Sequence, residues 1–75
     1  MDELTRKILW MFSESGGQPL DLHTLFEAGG NDPAERERVF DIVERLVKEG
    51  LLEEKGSDYY ELTDIGRQAR GHAGH

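Results

Sequence analysis

The sequence predicts an α+β domain in which three helices precede a two-stranded β-hairpin and a short C-terminal helix. Three observations predict it. Val39, Ile42, Val43, Leu46 and Val47 recur at helical spacing and stop before Gly50. Two short runs, Leu51-Leu52-Glu53-Glu54 and Tyr59-Tyr60-Glu61-Leu62, flank the polar tip Lys55-Gly56-Ser57-Asp58. Thr63 then stands where a last helix would need its cap.

The first helix is expected from about Asp2 to Ser13, with Leu4, Ile8, Met11 and Phe12 as its apolar stripe. Asp2 and Glu3 lie in its first turn, where the helix dipole favours negative charge. Gly16-Gly17 ends it and Pro19 prevents its extension. Asp21 caps a second helix of about two turns, in which Leu22, Leu25 and Phe26 face inward. Gly29-Gly30-Asn31 supplies positive-φ positions that close it. The third helix starts at the N-cap Asp32, with Pro33 in the first position and Glu35 completing a capping-box pattern. The two strands pair as a hairpin, and Thr63 caps a helix through Ile65 to about Arg70. This gives one domain over residues 1–70 and a flexible tail over 71–75, with no internal repeat.

A chain of 75 residues has room for one small core. The absence of cysteine excludes a disulfide framework, a thiolate zinc site and a cysteine nucleophile. No N-terminal apolar run suits a signal peptide or membrane span, so a cytoplasmic protein with no membrane partner is expected. Nine basic side chains oppose sixteen acidic ones, a formal charge of -7, so the average surface repels phosphate and anionic lipid. A nucleic-acid site would be a local exception.

The pattern Leu46, Gly50, Leu51, Leu52, then Tyr60, Leu62, Thr63 and Gly66, resembles the helix-three-to-wing segment of bacterial and archaeal winged-helix regulators. Multiple-antibiotic-resistance-type and PadR-type repressors are among them, and the resemblance covers roughly residues 20 to 68. It implies a winged helix, with a three-helix helix-turn-helix core and the hairpin as wing. It further implies that helix three enters the major groove while the wing tip lies along the DNA backbone. Carried onto this chain, the groove-facing positions fall near Glu37, Phe40 and Asp41 and the basic pair Arg36 and Arg38, with Arg45 and Lys48 further along and Lys55 at the wing. Arginines would touch bases and lysines would position the backbone.

The charges depart from that pattern. Over residues 33–49, Arg36, Arg38, Arg45 and Lys48 meet Glu35, Glu37, Asp41, Glu44 and Glu49, so 4 - 5 = -1. The wing offers Lys55 against Glu53, Glu54 and Asp58. Few phosphate contacts mean weak, salt-sensitive binding. The expected function is therefore a small winged-helix regulator linked to transcription, with weak intrinsic affinity for duplex DNA. The alternative is an acidic protein-interaction module that binds no DNA. A third, simpler reading makes helix three a solvated face of i,i+4 pairs, Asp41 with Arg45 and Glu44 with Lys48, opposed by the like pair Glu37 and Asp41.

Trp10 lies off the first helix's stripe beside Lys7. Leu9, Trp10 and Phe40 are candidate protein-interface residues, and by the same resemblance Trp10 with Leu9 would seed a two-fold homodimer. Otherwise Trp10 covers the hairpin edge near Tyr59 or Tyr60, and Phe40 belongs to the core. His23, His72 and His75 are too scattered for a metal motif, and Gly16-Gly17 and Gly29-Gly30 lack the lysine and strand-to-helix setting of a phosphate loop. No enzyme activity, cofactor or metal is expected.

Overall fold

The computed structural model describes the backbone of residues 2–73 and the side chains of residues 2–68. Helix α1 spans Glu3–Glu14, and the carboxylate of its N-cap Asp2 accepts a hydrogen bond from the Thr5 amide at 2.7 Å. It buries Thr5, Ile8, Leu9 and Phe12, whereas Leu4 and Met11 pack at the margin of the core. The expected stripe is thus rotated toward Leu9. At 100° per residue both sets of four fit one arc of about 100°, so periodicity alone does not choose between them. Packing chooses: the Arg45 guanidinium donates to the Thr5 hydroxyl at 3.1 Å, which turns that side of α1 toward the helix that carries Arg45.

A short strand not expected from the sequence, β1 at Leu20–Asp21, precedes helix α2 at Leu22–Phe26 and a 3-10 turn at Glu27–Gly29. Asp21 occupies the N-cap position, but its carboxylate accepts the Thr24 hydroxyl rather than a backbone amide. Gly30 and Asn31 have the expected positive φ, +72° and +61°. Gly29 does not share it and is needed for a different reason: a Cβ there would sit 2.7 Å from the Cβ of Glu35.

Helix α3 spans Pro33–Lys48, and Asp32 caps it by accepting from the Ala34 amide at 2.9 Å. Asp32→Ala is expected to cost about 1 kcal/mol in urea unfolding. The reciprocal half of the capping box is missing, because the Glu35 carboxylate turns to Arg38 instead, at 3.1 and 3.3 Å. At the other end the Leu51 amide bonds Leu46 O and the Gly50 amide bonds Val47 O, with Gly50 at φ +81°. This is a Schellman stop, and it sends the chain straight into a strand.

Strands β2 (Leu52–Glu54) and β3 (Tyr59–Leu62) form the expected hairpin, with Leu52 opposite Leu62, Glu53 opposite Glu61 and Glu54 opposite Tyr60. On its other edge β3 pairs with β1, Leu20 opposite Tyr60 and Asp21 opposite Tyr59, so the antiparallel sheet runs β1-β3-β2. The Thr63 hydroxyl donates to Gly50 O and accepts from the Gly66 amide, which ties helix α4 (Asp64–Ala73) to the end of α3. That helix continues past Arg70, so three residues of the expected tail are helical, and the remaining two lie outside the described residues.

Among the described residues the fold is α+β, with four α-helices and a three-stranded antiparallel sheet. Its single core joins Ile8, Leu9 and Phe12 of α1, Leu25 of α2, Val39, Ile42, Val43 and Leu46 of α3, and Leu52, Tyr60 and Leu62 of the sheet. Among the described residues no helix is long and apolar enough to cross a membrane.

Candidate functional site

Val39, Ile42, Val43 and Leu46 fix the buried side of α3. The opposite line, at 3.6 residues per turn, carries Glu37, Asp41, Glu44 and Lys48, all exposed. This outermost ridge has three carboxylates and one ammonium. Arg36 and Arg38 are two residues apart, hence about 160° apart around the helix, and they fall on opposite flanks of the ridge. The Arg36 guanidinium lies over the Phe26 ring of α2, 5.6 Å from its centroid. Arg38 pairs with Glu35 and, with Asp2, Glu3, Leu4 and Lys7, lines a crevice between α1 and α3. Arg45 lies on the same flank as Arg38 and is held by Thr5. The three arginines are therefore not brought together on one surface.

The expected i,i+4 pairs are not formed either: among the described residues the ion pair within α3 is Glu35 with Arg38, three apart. Asp41 and Glu44 lie beside Arg45, Val47 and Lys48 in a shallow groove without pairing. Exposed pairs of this kind contribute little, so the ridge keeps its negative potential. At the hairpin tip the Lys55 ammonium is 3.6 Å from Glu53.

The candidate interface residues also separate. Leu9 is 2 % exposed and belongs to the core, so it is not an interface residue; the arc of α1 that holds Thr5 against α3 carries Leu9 inward with it. Trp10 is 56 % exposed and lies about 150° around α1 from the mean direction of the buried residues. It does not pack against the core as a cover for the hairpin. Phe40 is 40 % exposed and outside the core, on the α2 side of the ridge beside Arg36. With Phe26 and His23, whose ring is 6.0 Å from Phe26, it extends an aromatic and basic flank along α2 and α3.

Tyr60, expected in the second strand of the hairpin, is a core residue with a displaced titration. Tyr60 is buried in the central strand, and burial together with the carboxylates of Glu54, Glu44 and Asp58 pushes its phenol above the ordinary value. The available signal is alternation: Tyr60 and Leu62 share one face of β3. Because the folded state holds this proton more tightly than the unfolded state, stability falls as pH rises past about 10. Tyr60→Phe is expected to flatten that alkaline limb in pH-dependent urea midpoints.

Asp2 shifts the other way. Hydrogen bonds from the Thr5 side chain and amide, then the charges of Arg45 and Arg38, hold its carboxyl below the ordinary 3.8. The Thr24 hydroxyl does the same for Asp21. Both contributions are complete above the unfolded-state value and are lost as pH falls through the lower folded value. Asp2→Asn and Asp21→Asn are expected to shrink the stability lost below pH 3.8, measured as midpoint against pH.

His23 is exposed on α2, and His72 and His75 have no described side chains. Among the described residues no group of three or more histidine, cysteine or acidic side chains is placed to hold a metal ion. Compared with protein-family models, curated proteins and solved structures, the chain matches none.

Proposed function

We propose that the chain is a winged-helix-type module that binds a basic segment of another protein through the outer ridge of α3 and the adjoining hairpin. Its resemblance to winged-helix regulators points to a setting in transcription. The element order, with β1 completing a sheet around β3, supports the winged-helix reading. The observation that carries the functional reading is the ridge itself: Glu37, Asp41 and Glu44 against Lys48, with Arg36 and Arg38 on opposite flanks and engaged within the fold. In a DNA-binding winged helix that line faces the groove and is polar or basic. Here it repels phosphate and attracts cations.

Duplex binding would rest on Lys48 and Lys55, too few contacts to outweigh the repulsion of phosphate by the acidic ridge. The test is an amide chemical-shift titration with a basic, amphipathic helical peptide of lysine and leucine, beside an acidic peptide of equal length. Shifts from the basic peptide alone, centred on Glu37 to Lys48 and weakening with salt, are expected. Equal shifts from both peptides, or none from either, would overturn the reading.

A further inference from the structure

We propose that the strip of α3 from Phe40 to Val47 seats the apolar side of an amphipathic, basic helix of the protein partner, with aliphatic side chains on Phe40 and Val47 and cations on the ridge beside them. The inference rests on the protein-binding reading above and adds an apolar anchor to it.

A single exposed apolar side chain needs no partner. Trp10 fits that description, because its helical neighbours three and four residues away are Arg6, Lys7, Ser13 and Glu14, all polar. Phe40 does not. Val47, seven residues further on, lies within about 20° of it around the helix and about 10.5 Å along it. Val47 is half-buried and lines a shallow groove of about 440 Å³ with Asp41, Glu44, Arg45 and Lys48. One turn before Phe40, Arg36 rests over the Phe26 ring at 5.6 Å, and the His23 ring is 6.0 Å from that same ring. Phe26 is itself half-buried. The apolar surface of α3 therefore continues toward α2 rather than ending at one ring.

The borders of the strip select its occupant. Glu37, Asp41 and Glu44, all exposed, stand between about 40° and 100° around the helix from Phe40. A second copy of the chain would set this ridge against itself, and DNA or an anionic membrane would meet the same repulsion. A helix with cations beside an apolar stripe matches both surfaces at once. Leucines seven apart on such a helix repeat at the same distance of about 10.5 Å, so it can lie along α3 with one on Phe40 and the next on Val47. Arg36 ends the strip with a cation, which confines the partner's own cations to the ridge side.

The test compares an acetylated, amidated helical peptide of lysine and leucine with its counterpart carrying alanine in place of every leucine. Charge is equal and alanine favours the helix more, so the difference between them isolates the apolar contact. The leucine peptide is expected to bind about tenfold more tightly and to shift the amides of Phe40 and Val47 more than the alanine peptide does. Phe40→Gln should remove the preference, while Phe40→Leu and Trp10→Gln should keep it; amide spectra without peptide report that each variant is folded. A preference that survives Phe40→Gln, or that is lost in Trp10→Gln, would overturn the seat. So would shifts at Phe40 that depend on protein concentration without peptide, since a second copy would then cover this face. Equal binding of the two peptides would overturn the seat and leave the protein-binding reading standing, whereas no binding of either would overturn both.

Discussion

Gly66→Ala is expected to destabilise the chain by about 2–4 kcal/mol, because overpacking against backbone cannot be relieved by a rotamer change. A Cβ at this position would lie 2.1 Å from the Leu51 carbonyl oxygen and 3.0 Å from Leu62 Cδ2. The same carbonyl accepts the Thr63 amide at 3.1 Å, so moving it breaks the bond that launches α4. A chain of this size is stable by about 4–11 kcal/mol. The substitution would therefore remove a large share of its stability or unfold it. Gly56→Ala is the comparison: that glycine has φ +71° but open space around it, so strain of about 1–2 kcal/mol is the whole cost. Urea midpoints of the two variants should rank Gly66→Ala as the more damaging; the reverse order would show that α4 does not pack on Leu51 as described.

Replacing Glu37, Asp41 and Glu44 together by lysine is expected to create duplex-DNA binding. Each change adds two charges, so the formal net charge moves from -7 to -7 + 6 = -1, with the gain confined to one ridge. With Lys48 the ridge would then present four ammonium groups. If all four neutralise phosphates, log affinity falls with log salt at a slope of about -3.6, so the affinity drops roughly 150-fold between 50 and 200 mM salt. All four sites are exposed and none of the three acids has an ion-pair partner among the described residues, so stability should change little. Fluorescence anisotropy with a labelled duplex at both salt concentrations measures the effect. A variant as silent as the parent would mean that this ridge cannot approach DNA, and the winged-helix placement of α3 would lose its support.

Helix boundaries were legible wherever a local device sets them. Asp32 and Pro33 start α3 and Gly50 ends it, because caps and left-handed stops act within a few residues of sequence. The hairpin was legible from its alternation and polar tip. Strand β1 was not, since two residues carry no period and Pro19 reads as a break. Leu9 was misplaced because two apolar arcs on α1 are equivalent until Arg45 reaches Thr5 across the fold.

The candidate site was legible as composition but not as arrangement. Counting charges along α3 shows a balance near zero, yet only the burial of Val39, Ile42, Val43 and Leu46 reveals that the acids hold the ridge while the arginines occupy its flanks.

The most direct measurement is an amide chemical-shift titration of the unmodified chain with a random-sequence duplex at low salt, repeated at about 0.15 M, where exposed charges are screened beyond about 8 Å. The acidic ridge predicts a silent spectrum at both salt concentrations. Shifts concentrated on Arg36 to Arg45 and on Lys55 to Ser57, fading as salt rises, would contradict it and identify α3 and the hairpin as a DNA-binding surface.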